Sequence, residues 1–196
     1  PLPTVTLASF NPICANAAPF PLSGGNPAGG TYTGPGVMND SLFPAMAGTG
    51  NKVITYTYFA PNGCSNTATA NQLILALPAV TFSTIPGVCP ESSPFNLAGG
   101  SPVGGVYAGP GVSAGIFNPA VTGSGTFIID YTYQDGNGCA NTAVQSLTVY
   151  APPVVNFTPP ASLCSNGSSV LLTGGTPSGG SYQGQFVNAG RFNPTL

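Results

Sequence analysis

One nine-residue stretch constrains this chain more than anything else in it. Gly29-Gly30-Thr31-Tyr32-Thr33-Gly34-Pro35-Gly36-Val37 returns as Gly104-Gly105-Val106-Tyr107-Ala108-Gly109-Pro110-Gly111-Val112. It returns again as Gly179-Gly180-Ser181-Tyr182-Gln183-Gly184-Gln185-Phe186-Val187, at the same 75-residue offset and with no insertion. Each copy reads as a short alternating strand around a Tyr, bracketed by glycines that supply the positive-φ conformations of tight turns. A fixed period of this kind means an array of small units. The units run 1–75, 76–150 and 151–196.

Each unit opens on a proline-led alternating strand: Pro3, Val5, Leu7; Pro78, Val80, Phe82; Pro153, Val155, Phe157. Proline at the head of a strand leads the ladder without interrupting it. A cysteine follows (Cys14, Cys89, Cys164), then a strand ending in a Gly-Gly turn, then the Tyr-centred stretch. The first two units continue into Val53-Ile54-Thr55-Tyr56-Thr57-Tyr58 and Ile128-Ile129-Asp130-Tyr131-Thr132-Tyr133, whose period-two alternation is the strongest strand signal present. A Gly-Cys turn (Gly63-Cys64, Gly138-Cys139) leads to a last strand at Leu73-Ile74-Leu75 or Leu147-Thr148-Val149. No segment carries a capped 3.6-residue period, so helix content is expected near zero. About seven short strands per unit predict an all-β chain of tandem immunoglobulin-like sandwiches, the third incomplete.

Composition matters mainly through charge. Lys52 and Arg191 are the only cations, Asp40, Glu91, Asp130 and Asp135 the only acids, and there is no His. At 3% charged residues against the usual quarter, the surface resists association poorly and is expected to sit in an assembly or under glycan. Two cations neither neutralise a phosphate backbone nor make a polybasic membrane patch, so nucleic acid is excluded as a partner. The longest apolar run, Leu73 to Leu77, is too short to span a bilayer. No signal peptide is visible at Pro1, which reads as a mature product or a fragment.

Cys14 to Cys64 and Cys89 to Cys139 are equally spaced. The economical reading is two in-unit disulfides, Cys14–Cys64 and Cys89–Cys139, out of three connectivities for four cysteines, and an oxidising compartment with them. Cys164 is left unpaired or intermolecular, since a partner 75 residues past Cys139 falls beyond Leu196. The third unit lacks the alternating strand, the Gly-Cys turn and the last strand. Either the chain is a fragment, or a neighbouring subunit fills the gap by strand addition, with Leu2 to Phe10 as the expected donor.

Little chemistry is on offer. Without His, no base stands ready for nucleophilic catalysis, so an enzyme is not expected and no cofactor is called for. Asp130 and Asp135, with Asn137, are the nearest approach to a calcium or carboxylate site, but a strand residue and a turn residue explain them better, so no metal site is expected. Tyr32, Tyr107 and Tyr182 are candidates for a sugar-stacking ladder, the alternative being that each packs into its own sandwich. Asn39, Asn156 and Asn166 begin N-x-S/T triplets and are candidate glycan acceptors.

The pattern Cys…Leu-x-Gly-Gly-x-Pro-x-Gly-Gly-x-Tyr-x-Gly-Pro-Gly-Val…Phe-x-Pro…Tyr-x-Tyr…Asn-Gly-Cys-x-Asn-Thr-Ala resembles the Ig-like and PKD-like repeats of very large secreted surface proteins of Bacteroidetes. The resemblance covers the whole chain. The third unit departs from it at Gln185-Phe186, where Pro-Gly is expected. Asp40-Ser41-Leu42 also looks like the short O-glycosylation motif of such proteins, which adds Ser41 to the candidate acceptors. The resemblance implies a non-enzymatic extracellular or cell-surface role as fibre, filament, stalk or adhesin, with self or neighbouring repeats, and glycans, as partners. The alternatives are a carbohydrate-binding adhesive module or a spacer of a larger secreted protein.

Overall fold

The computed structural model describes residues 1–196, and they are almost wholly β. Residues 1–75 carry β1 (Thr6–Leu7), β2 (Ile13–Cys14), β3 (Phe20–Pro21), β4 (Gly25–Asn26), β5 (Thr31–Thr33), β6 (Val37–Met38), β7 (Ser41–Leu42), the single helical turn α1 (Pro44–Ala47), and the long strands β8 (Gly50–Phe59) and β9 (Ser65–Leu75). Residues 76–150 follow the same order: β10 (Thr81–Phe82), β11 (Phe95–Asn96), β12 (Gly100–Ser101), β13 (Val106–Ala108), β14 (Val112–Ser113), β15 (Ile116–Phe117), α2 (Pro119–Thr122), β16 (Gly125–Gln134) and β17 (Ala140–Val149). Residues 151–196 hold β18 (Asn156–Phe157), β19 (Val170–Leu171), β20 (Gly175–Thr176), β21 (Val187–Asn188) and β22 (Arg191–Phe192).

The architecture is an immunoglobulin-like sandwich. In 1–75 a four-stranded sheet ordered β2-β9-β8-β5 faces β3-β7-β6 and the pair β1-β4. In 76–150 the sheet β13-β16-β17 faces β11-β15-β14 and β10-β12. Alternation along the hairpin strands aims Ile54 and Tyr56, and likewise Ile129 and Tyr131, into the interior. Ile54 meets Leu22, Leu42 and Ile74 in the first core, and Ile129 and Tyr131 meet Phe82, Leu97, Phe117, Leu147 and Val149 in the second. Helix is confined to two single turns that each begin at a proline and stop at a glycine, Gly48 and Gly123.

The last strand is longer than its sequence suggests. It was expected at 73–75 and 147–149, yet it starts at Ser65 and Ala140. Ser65-Asn66-Thr67-Ala68-Thr69 has no apolar alternation, but β8 pairs with it residue for residue, from Phe59↔Ser65 to Gly50↔Ile74, and the partner decides.

The disulfide expectation is overturned. The structure joins Cys14 to Cys139, 125 residues apart, with a Cα–Cα distance of 5.5 Å, and leaves Cys64, Cys89 and Cys164 free. Neither Cys14–Cys64 nor Cys89–Cys139 forms, for one topological reason. Cys14 lies beside Leu75 at the far end of β9, whereas Cys64 sits at the hairpin tip that precedes Ser65. Eleven strand residues at ~3.3 Å each put them roughly 35 Å apart, against a bridging limit of about 7 Å. Cys89, next to the Val88↔Val149 bridge, is separated from Cys139 in the same way by the length of β17. The tip of one hairpin meets instead the opposite end of the preceding sandwich. Beside the disulfide, Asn16 Nδ2 donates to the Ala140 carbonyl at 3.2 Å.

The donor-strand assignment also fails. Thr6 and Leu7 pair with Asn26 and Gly25, Asn66 Nδ2 donates to the Pro3 carbonyl at 2.9 Å, and Leu7 and Phe10 pack on the first core. Leu2 to Phe10 is thus built into its own sandwich.

Candidate functional site: an open half-sandwich

The sequence-derived tyrosines turn out to be structural. Tyr32, Tyr107 and Tyr182 are half-buried, and their hydroxyls accept from the backbone N–H of Gly25 (2.8 Å), Gly100 (2.9 Å) and Gly175 (2.7 Å). Their rings lie against Tyr56 (centroids 4.7 Å apart), Tyr131 (4.6 Å) and Phe157 (5.5 Å). A sugar-stacking platform needs open ring faces; here the rings and hydroxyls are committed to their own sandwiches, so the ladder expectation is corrected.

Asp135 is a turn residue: its Oδ1 accepts from the N–H groups of Asn137 and Cys139, both at 2.9 Å, and shapes the hairpin tip. Asp130 lies in β16, between Ala108 and Val144. Asp40, at φ 56° in the turn between β6 and β7, accepts from the Tyr32 N–H. Its neighbour Ser41 is half-buried in β7, its Oγ 3.4 Å from the Asn39 carbonyl, and Leu42 is fully buried. Of the other candidate acceptors, Asn39 is exposed in that turn, Asn156 is exposed in β18, and Asn166 is exposed in a turn.

Sequence reasoning missed the second tyrosine of each completed sandwich. Tyr56 is 1% exposed, its hydroxyl accepting from Gly30 N at 2.7 Å and donating to the Pro27 carbonyl; Tyr131 repeats this with Gly105 N at 2.8 Å and Pro102. The ring fits only because two glycines flank it. A Cβ on Gly25 or Gly30 would lie 2.5 or 2.6 Å from the Tyr56 ring, and Gly100 and Gly105 stand equally close to Tyr131. Twenty-six residues separate Gly30 from Tyr56, so no local pattern announces the pairing.

Residues 151–196 hold the counterparts of the strands that precede the hairpin. They carry β18-β20 and β19-β22-β21, and no hairpin of the β8–β9 kind. Gly180, equivalent to Gly30 and Gly105, has nothing within 4 Å of a Cβ position. Gly184 meets only Val187 at 3.7 Å, where Gly34 and Gly109 meet a strand carbonyl at 2.7 Å and an Ile side chain. Ser181–Gln183, equivalent to β5 and β13, belongs to no strand. No residue past Val149 is buried, and Phe157 is 50% exposed where its equivalent Phe82 is 6%. The outcome is an open groove of about 770 Å³ whose apolar wall includes Phe157, Leu163, Leu172, Tyr182, Phe186 and Phe192. Covering such side chains is worth ~1.5–3 kcal/mol each.

No helix is long and apolar enough to cross a membrane. No protein-family model matches the chain, and no curated protein matches it.

Proposed function

We propose that this chain is a non-enzymatic structural array of the extracellular surface, forming or extending a fibre, filament or stalk. The observation that carries this reading is the Cys14–Cys139 disulfide, which ties the end of one sandwich to the hairpin tip of the next and has the Asn16–Ala140 hydrogen bond beside it. A covalent tie across a junction holds successive units under tension, which a string of independently tethered binding domains does not need. Disulfides persist in oxidising compartments, which supports the extracellular location. Six charged side chains in 196 residues leave little Coulomb repulsion against self-association, which favours neighbouring repeats or further copies as partners. Exposed Asn39, Asn156 and Asn166 are open to glycan, and Ser41 is less accessible.

The adhesive alternative loses its proposed sugar platform once the three tyrosines are spent on packing. Negative-stain microscopy of the material isolated from its source tests the proposal. Filaments or stalks reactive to an antibody against this chain are expected. Compact particles with no elongated assembly, under oxidising conditions, would overturn it.

A further inference from the structure

The Cys14–Cys139 bond changes the route by which a pull on the chain passes through it. It closes residues 15–138 into a loop, so a load applied before Cys14 and after Tyr150 crosses the two sulfurs to Cys139 and leaves along β17. Without the bond, the load would enter the second sandwich on the side of β10 and leave through β17. It would then pull apart the core that Phe82, Phe117, Ile129, Tyr131 and Leu147 build. With the bond, force enters β17 at one end and leaves at the other, and a strand drawn equally at both ends exerts no net shear on its neighbours.

The strand suits that role. Its ten residues are extended at ~3.3 Å each against a limit of ~3.3–3.6 Å for any chain, so at most about a tenth of its length is left to give. It is braced along its whole length, by β16 from Gln134↔Ala140 to Gly125↔Val149. Asn141 Nδ2 donates to the Pro78 carbonyl at 3.0 Å and Gln145 Nε2 to the Phe82 carbonyl at 2.8 Å, which pins it to the opening strand of its own sandwich. Cys139 itself is fully buried, and its N–H donates to Asp135 Oδ1 at 2.9 Å. In the first sandwich only residues 1–13 lie on the loaded line, which reaches Cys14 beside Leu75, at the junction.

We infer that this chain works as a force-bearing tether whose load line is residues 1–14, the Cys14–Cys139 bond and β17. Axial tension thereby bypasses residues 15–138, and the two sandwiches stay folded under it. The inference rests on reading the chain as a structural array and names the part that carries the load. Tension on one molecule needs no filament, so the two fail separately: a lack of filaments defeats the array, and a sandwich that unfolds behind the bond defeats the load line.

The test holds the full chain, its free thiols alkylated, between terminal handles in magnetic tweezers, at a force that unfolds a Cys14→Ala/Cys139→Ala chain. Residues 1–13 and 151–196 contribute the same length to both chains. The tied chain should gain nothing further. The alanine chain should gain roughly 400 Å more, in two steps of roughly 200 Å, one for each sandwich. If the alanine chain does not fold, the native chain reduced before loading supplies the same reference. A phosphine reductant is then added to the tied chain at the same force. Opening the bond should release two separate steps with the dwell times of the reference, because each sandwich is still folded and its own unfolding rate sets the release. A single jump of the whole length on cleavage would mean that the sandwiches had already come apart behind the bond, and would overturn the inference. So would no gain in length on reduction.

Discussion

Alanine should act very differently at a glycine that faces the buried tyrosine and at a glycine that faces open space. At Gly30 the new Cβ would run into the Thr57 carbonyl and lie 2.6 Å from Tyr56 Cζ and 2.7 Å from its hydroxyl. The carbonyl is held by the Thr31↔Thr57 register and the ring by the core, so neither side yields cheaply. Overpacking of this kind costs ~1–3 kcal/mol. A displaced Tyr56 hydroxyl also loses its bonds to Gly30 and Pro27, at ~1 kcal/mol each. A loss of about 3 kcal/mol or more is therefore expected, a fall in Tm of roughly 12 °C or more for a unit of this size. Gly136→Ala, at the tip of the second hairpin, meets nothing within 4 Å, so it should change stability by at most ~1 kcal/mol, in the favourable direction through the unfolded chain. Urea and thermal unfolding followed by tyrosine fluorescence and circular dichroism would measure both. Equal effects at the two positions, or a Gly30→Ala cost under about 1 kcal/mol, would refute the close-packing argument.

Non-reducing peptide mapping should recover Cys14 joined to Cys139; recovery of Cys14–Cys64 or Cys89–Cys139 would contradict the topology. Tyr131→Phe should destabilise the second sandwich by ~2–4 kcal/mol, because the Gly105 N–H and the Pro102 carbonyl each lose their partner in the core, and denaturant midpoints would show it. Assemblies of the chain should respond weakly to moderate salt, since six charged side chains leave little to screen; turbidity that collapses at about 0.15 M salt would require charge from an attached acidic glycan.

The repeat was legible because its turns are. Gly34-Pro35-Gly36 and its counterparts must stand where the backbone reverses, and such local chemistry survives in the sequence as punctuation. The inner strands were legible too, since Ile54 with Tyr56, and Ile129 with Tyr131, alternate as a half-buried strand must. The polar start of β9 was not, because its strand character comes from β8. The role of Asn66 and Asn141 was equally hidden: each reaches 63 residues back, to the carbonyl of Pro3 or Pro78.

The sequence alone thus determined the all-β class, the turn positions and the inward faces, each of which depends on residues a few positions apart. Only the tertiary structure decided which cysteines meet and which glycines are packed against. Equal spacing of Cys14 to Cys64 and of Cys89 to Cys139 suggested closure within a unit, but a strand of eleven residues holds Cys14 and Cys64 at opposite ends of the same sandwich, and only the junction brings Cys14 to Cys139. Likewise Gly29 and Gly30 look alike in sequence, yet only Gly30 is packed against Thr57 and Tyr56. Whether a glycine is a filled notch or an open one depends on a strand that arrives from far along the chain, and that is a property of packing in three dimensions.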